Sequence, residues 1–304
     1  MLLKAYKEYL IRMEDLRGID YATPTIIKYT STYDRLESFI KLHHKESDID
    51  LHVLNHSFIE DFISYLKKEY GNSQTTCYKH YQRFSKVVKS FIHKGYLKYN
   101  PFEGFTMKLP KKPVEYLTMA EIEIIDNASF EVERLNLIKD IFIFSCYTGL
   151  AFRETYDLTP DQIIVDDDGE HWLTITRQKT NKDFKIPLLP KAVGIIEKYR
   201  NHPISIRRGT LIPIPSNQKM NAYLKEIGDI CGIKKKLHHH LASKSFSVSV
   251  VLRNSVPIET LSLLLGHSNI KVTVDAYSAI SEEKIKKDFA LLKKNLLQPI
   301  VPIR

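Results

Sequence analysis

The segment Leu109-Pro110-Lys111-Lys112-Pro113-Val114-Glu115-Tyr116-Leu117-Thr118 most constrains what this chain can fold into. Two prolines remove backbone donors and hold the residues before them extended, so neither a helix nor a central strand can run through it. The segment reads as a basic linker, and the chain must fold on both sides of it. Residues 1–108 should form one unit, 109–117 the linker and 118–304 a second unit. With 304 residues and 43% apolar content, each side can bury a core.

Before the linker the apolar spacing is helical throughout. Ala5 to Met13 can be helical, and Thr23-Pro24-Thr25 reads as a helix start, followed by Ile26, Tyr29, Tyr33, Leu36 and Ile40 at helical intervals. A further helix is predicted from about Ser57 to Glu69, with Phe58, Phe62, Tyr65 and Leu66 inward, broken by Gly71-Asn72-Ser73. The next runs from about Ser73 to Lys94, with Phe84, Val87, Val88, Phe91 and Ile92 as its apolar face. Together these predict a four-helix-like bundle.

Charge on that last helix is one-sided. Between Glu69 and Glu103 no acidic residue occurs, while Lys79, Arg83, Lys86, Lys89, Lys94 and Lys98 all do, in a chain of net charge +9. Lysine and arginine beside a phosphate backbone release condensed counterions, so this charge suits a polyanionic partner and a DNA-facing role for the helix. Lys79, Arg83 and Lys86 stand three to four residues apart and share one helix face, with Tyr78, His80 and Tyr81 beside them. The same stripe also reads as a solvated face of a bundle helix.

After the linker, Thr118 with Glu121 three residues on forms a capping-box pattern. A strongly apolar helix from Leu135 to Tyr147 ends at Thr148-Gly149-Leu150, and one more turn carries Arg153 and Glu154, the glutamate read as structural. Three strands are predicted: Gln162 to Val165, Trp172 to Thr176, and about Phe184 to Pro187. Asp166-Asp167-Asp168-Gly169 between the first two lacks the alternating spacing and terminal glutamate of a calcium loop and reads as a hairpin turn. From Lys191 the pattern is helical, interrupted by Pro203 and by Ile212-Pro213-Ile214-Pro215. The second unit is thus mixed α/β, mainly helical with a small three-stranded antiparallel sheet, in a mostly α chain.

Cys77, Cys146 and Cys231 are odd in number and far apart, which fits neither a disulfide framework nor a zinc site; no metal and no cofactor are expected. No apolar run reaches the roughly 18 residues of a membrane span, and the N-terminus is charged from Lys4, so no membrane partner and a cytoplasmic location are expected.

The richest stretch is Lys234 to Tyr277, which holds a basic and histidine-rich run, an apolar helix, a Leu-Gly-His turn and a tyrosine. Taken alone, His238, His239 and His240 read as a solvated basic run, His267 as part of a helix end, Tyr277 as one of 17 tyrosines and Lys179 as a surface lysine. Their order resembles that of tyrosine recombinases: bundle, basic linker, Thr-Gly-Leu, strands with Arg-x-Lys-Thr, a histidine opening a helix, Leu-Gly-His, tyrosine. More narrowly, YATPTIIKYTSTYDRLESFI, RQKTNKDFKIPLLPKA, IPSNQKMNAYLKEIG and VPIETLSLLLGHSNIK are similar to segments of integrases of conjugative transposons. The resemblance implies a core-binding helical bundle and a recombinase catalytic domain that clamp duplex DNA as a tetrameric synapse.

It also implies metal-free site-specific recombination and integration, in which a tyrosine hydroxyl attacks the scissile phosphate to give a 3′-phosphotyrosine and a free 5′-hydroxyl. By register Tyr277 is the nucleophile and Lys179 the lysine that protonates the leaving 5′-oxygen. His240 is the first histidine of the family's His-x-x-Arg, and His267 the histidine that bonds a non-bridging oxygen. Residues 282 to 297 would pack on a neighbouring copy, and the N-terminal arm-type DNA-binding domain common in such integrases should be missing or much reduced.

The departures from the family fall at its arginines. Ala151 stands where an arginine follows Thr-Gly-Leu, and Ser243 where His-x-x-Arg ends, with Lys244 in place of the next histidine. Tyr277 is ten residues after His267 where nine is usual, which predicts an insertion or shifted loop around Val274-Asp275-Ala276. Losing one preorganised donor costs on the order of a hundred- to a thousandfold in rate. Arg177, on the same strand face as Lys179, is the candidate substitute for the first arginine, and Lys244 could supply charge for the second. The alternative is a catalytically weakened relative that still binds DNA.

Overall fold

A computed structural model describes residues 1–110, 113–177, 182–267, 269–277, 286, 289–290 and 292–293. The chain divides into two compact units, Met1–Lys112 and Pro113–Arg304.

The first unit contains α1 (Leu2–Asp15), α2 (Thr23–His43), α3 (His56–Tyr70) and α4 (Gln74–His93). Local chemistry sets their ends. Pro24 sits in the first turn of α2, where its missing N–H has no partner to lose. Asn55 caps α3 through the Phe58 N–H, Ser73 caps α4 through the Thr76 N–H, and Gly71, left-handed at φ 59°, ends α3. Aromatic rings fill the centre: Phe39 meets Phe58 edge-on at 5.3 Å and Phe62 at 5.5 Å, with Phe84 and Phe91 fully buried.

Burying Phe84, Val87, Val88 and Phe91 turns Lys79, Lys86 and Lys89 outward, where they are exposed. Arg83 differs from the lysines that flank it. It is half-buried and donates at 3.2 Å to Thr32 Oγ1 of α2, a hydroxyl that also lies 2.9 Å from His80 Nδ1. The charged form of His80 is disfavoured by burial and then by Arg83 and Arg35, which push its pKa down to about 4.

In the second unit, Thr118 and Glu121 make both halves of the capping box that starts α5 (Met119–Asn127). The central helix α6 (Glu133–Thr148) is largely buried from Leu135 onward, with Asp140 held by Lys198 at 2.6 Å and the Tyr199 hydroxyl at 2.8 Å. After the short α7 (Phe152–Tyr156), β1 (Ile163–Val165), β2 (His171–Arg177) and β3 (Lys182–Pro187) form an antiparallel sheet in the order β1-β2-β3. Leu173, Ile175, Phe184 and Ile186 alternate onto its buried face.

Beyond the sheet come α8 (Pro190–Tyr199), α9 (Pro203–Arg208) and α10 (Asn217–Ile230). Pro203 opens α9 rather than breaking a helix, because a first-turn proline forfeits no hydrogen bond. The result is the mostly helical fold with one small three-stranded antiparallel sheet that the sequence implied. Among the described residues no helix is long and apolar enough to cross a membrane.

Candidate active site

Helix α11 (His239–Ser245) runs without a break into a π-helical turn, Phe246–Val251, and a 3₁₀ turn, Leu252–Asn254. The three histidines at its start meet different fates. His239 is 1% exposed, packs edge-on against Phe152 at 5.4 Å and places Nε2 3.0 Å from Ser145 Oγ. Ser145 already donates to the Ile141 carbonyl, so the ring is the donor from Nε2, and burial drives its pKa down to about 4. It is a neutral core histidine.

His238 and His240 flank it with rings stacked at 6.4 Å, and His240 is exposed. Burial first, then Lys244, hold both below the usual histidine range. Lys244 lies four residues after His240 on the same helix face, with half-buried Ser243 beside it.

The next serines bind backbone. Leu117 donates its N–H to Ser245 Oγ at 2.8 Å and accepts from Ser249 Oγ at 2.5 Å, which fixes the entry of the chain into this unit. Ser247 Oγ donates to the Ser243 carbonyl at 2.9 Å. The Thr-Gly-Leu turn comes against the same helix: Gly149 has φ 73°, and a Cβ there would stand 2.4 Å from the Phe246 ring. Only glycine fits.

Ala151 then starts α7, its N–H donated to Glu154 Oε2 at 2.8 Å, so Glu154 does the capping expected of a structural residue. Arg153 is exposed and pairs with Asp157 at 2.7 Å, and so does not stand in for an arginine at Ala151.

The second half of the site is built by α12 (Ile258–Leu264) and α13 (Ile270–Tyr277). At Gly266, φ 59°, a Cβ would lie 2.7 Å from Phe184, so the Leu-Gly-His turn rests on β3. His267 Nδ1 is 2.7 Å from Thr273 Oγ1, and Thr273 is fully buried. Tyr277, 9% exposed, joins the apolar cluster of Phe246, Val248, Val251, Leu252, Leu261 and Leu265. Burial raises its pKa, and a hydrogen bond with Ser247 draws it back. Val274-Asp275-Ala276 lie within α13, so the extra residue before Tyr277 is taken up in a helix and not in a shifted loop.

Among the described residues, Tyr277 thus packs against Phe246, Val248 and Val251 of the helical run that carries His240, Ser243 and Lys244, and His267 is tied through Thr273 to the helix that carries Tyr277. Arg177 closes β2 opposite Lys182. Lys179 lies outside the described residues. Sequence reasoning passed over Ser247 and Thr273; the serines at every second position from Ser243 to Ser249 were the visible sign that this helix is unusual.

The chain is similar to several known proteins. The profile of the phage integrase SAM-like domain matches residues 1–109, and that of the phage integrase family matches residues 116–284. The chain is 24% identical over 304 residues to a tyrosine recombinase of Pseudothermotoga lettingae, covering 96% of this chain and 99% of that one. It is 24% identical over 238 residues to a tyrosine recombinase of Thermosipho africanus, covering 74% and 81%. A lambda integrase dimer bound to a COC′ core site superposes with TM-score 0.71 at 15% identity over 91% of this chain and 95% of that one. A Tn1549 transposon integrase in complex with a circular intermediate DNA gives TM-score 0.71 at 14% identity over 96% and 99%. With the integrase profile spanning more than half of its length, this chain belongs to the phage integrase family of tyrosine recombinases.

Proposed function

We propose that this protein carries out site-specific recombination on duplex DNA, cutting and rejoining strands through a 3′-phosphotyrosine on Tyr277. The observation that carries the reading is the packing of Tyr277 with Phe246, Val248 and Val251, on the helical run that carries His240 and Lys244, with His267 bonded to Thr273 one turn before the tyrosine. The phosphorus–5′-oxygen bond breaks as the bond from phosphorus to the tyrosine oxygen forms; the phenol gives up a proton and the leaving 5′-oxygen takes one, in this reading from Lys179. His240, His267 and Lys244 would meet the non-bridging oxygens, with Arg177 the remaining cation for the pocket. Fixed donors aimed at developing charge are the main source of rate in such a reaction.

In this reading residues 1–108 form the core-type DNA-binding bundle, with Lys79, Arg83 and Lys86 toward the phosphates, residues 109–117 the linker, and 118–304 the catalytic domain. The protein works in the cytoplasm, as a homo-oligomer on DNA.

The related solved structures include recombinases bound to DNA, one of them XerH in a pre-cleavage complex with a difH substrate. A second reading, a DNA-binding relative with weakened catalysis, is favoured by Ala151 and Ser243 at the arginine positions and by the pairing of Arg153 with Asp157. A suicide substrate that traps the covalent intermediate separates the two. A phosphotyrosine product lost in Tyr277→Phe supports recombination, and core-site binding without any covalent product supports the second reading.

A further inference from the structure

We propose that Asn221 is a positioning residue for the two outward histidines of the candidate site, His238 and His240, and that it works by holding the start of α11 from α10. The inference rests on the recombination reading for its effect on rate, and on geometry alone for the contact itself.

A helix begins with N–H groups that have no partner within it, and the side chain just before it commonly accepts from one of them. His238 fills that position at α11, and its side chain caps nothing. The His239 N–H donates instead to Asn221 Oδ1 at 2.8 Å, on a residue 18 positions earlier. Because that N–H can only donate, the Asn221 oxygen must face it, and the amide nitrogen is left to donate to Asn217 Oδ1 at 2.9 Å. The asparagine is thus fixed at both ends of its amide. Its helix is a firm base, with Met220, Leu224 and Ile227 of α10 fully buried.

His239 is therefore held at three points, by Asn221 of α10 on its N–H, by Ser145 of α6 on Nε2 and by Phe152 of α7 against its ring. Residues two apart within a helix do not face each other. His238 is extended, at φ −156° and ψ 155°, which brings its ring alongside that of His240, 6.4 Å away and 24° from parallel. The pairing of these rings depends on the backbone at His239, and of the three anchors only Asn221 grips that backbone. In the recombination reading His240 meets a phosphate oxygen, and Ser243 stands where the family has an arginine, so the placement of His240 counts for more.

The test uses the full-length protein. Without DNA, Asn221→Ala should speed hydrogen exchange of the His239 amide by about tenfold and move the ring signals of His238 and His240, assigned with His238→Gln and His240→Gln. Asn221→Asp keeps an acceptor for that N–H but not the donor to Asn217, and should restore both. In single-turnover cleavage of a suicide substrate, Asn221→Ala should be about ten- to a hundredfold slower at unchanged duplex affinity, and Asn221→Asp should recover most of the rate. Asn221 is half-buried, so its truncation leaves the fold in place, which Trp172 fluorescence reports. Unchanged exchange or unmoved ring signals in Asn221→Ala overturn the proposal, as do equal rate losses in the two variants or a loss in affinity and not in rate. If the unsubstituted protein forms no covalent product, the recombination reading fails, and the amide exchange and ring signals still decide the link between Asn221 and the histidines.

Discussion

His267 Nδ1 lies 2.7 Å from Thr273 Oγ1, and Thr273 stands four residues before Tyr277 on one face of α13. The Leu-Gly-His turn and the tyrosine helix are therefore one mechanical piece, with the imidazole orientation set by the helix that carries the proposed nucleophile. Thr273→Val keeps the shape of the buried side chain and removes the hydroxyl. It should cost about 1 kcal/mol of stability and lower cleavage by about tenfold, with DNA affinity unchanged. Cleavage that stays at the parent rate would show that His267 is oriented by other contacts.

Two glycines are fixed by close approach as well as by backbone angle, and a third by angle alone. Gly149→Ala meets the Phe246 ring at 2.4 Å and Gly266→Ala meets Phe184 at 2.7 Å, whereas a Cβ at Gly169, φ 81°, meets nothing within 4 Å. The first two should each lose about 2–5 kcal/mol, from left-handed strain plus overpacking, and Gly169→Ala about 1–2 kcal/mol from strain alone. Trp172, the single tryptophan, lies in the second unit and reports its unfolding without interference from the first. Similar losses at all three glycines would mean that Phe246 and Phe184 shift aside.

His239 should govern the acid limit of the second unit. Its pKa is depressed to about 4 in the folded state, so the unfolded chain binds a proton that the folded chain refuses. The neutral-state contribution is complete above the ordinary histidine value and is lost as pH falls from about 6.5 to about 4, by roughly 3 kcal/mol in all. His239→Gln retains a donor for Ser145 but does not titrate. Followed by Trp172 fluorescence, it should be less stable at neutral pH and flatter across that window. An unchanged slope would assign the acid limb to other groups.

The architecture was legible because its signals are local. Proline spacing, the capping residues Thr118 and Ser73, and the alternation around Leu173 and Phe184 each fix an element from its own neighbours. The site was legible as an order of motifs and less so as a geometry. Nothing local distinguishes His239 from His238 and His240; the burial of one and the exposure of another follow from where α6 and Phe152 sit. Arg83 shares a helix face with Lys79 and Lys86, yet its head group goes to Thr32, a residue 51 positions away. The serine-to-backbone bonds that join Leu117 to Ser245 and Ser249, on either side of Ser247, are encoded by no helical periodicity.

Duplex binding by the first unit should divide α4 accordingly. Lys79→Ala and Lys86→Ala remove exposed charges and should each reduce the salt slope of binding by about one, while leaving stability unchanged. Arg83→Ala removes a half-buried donor to Thr32 and should also lower the unfolding midpoint. Binding titrations at several salt concentrations beside thermal unfolding separate the two effects, and a salt slope unmoved by either lysine would take the DNA surface off this face.

The departures at Ala151 and Ser243 lead to a gain-of-function prediction. Ser243 contributes its carbonyl, not its side chain, to the Ser247 bond, and Ala151 contributes its N–H, not its side chain, to the Glu154 cap. Both side chains are only half-buried, so arginine can replace them while the surrounding backbone hydrogen bonds stay intact. Ser243→Arg adds a planar fork beside Lys244 and one turn from His240, which suits a phosphate better than an ammonium group. Combined with Ala151→Arg, it should raise suicide-substrate cleavage by at least about tenfold. The added arginines should act on the rate far more than on duplex affinity, because they meet charge that develops only as the phosphate is attacked. A double variant that binds duplex more tightly but cleaves no faster would mean that Tyr277, His240 and His267 do not converge on one phosphate.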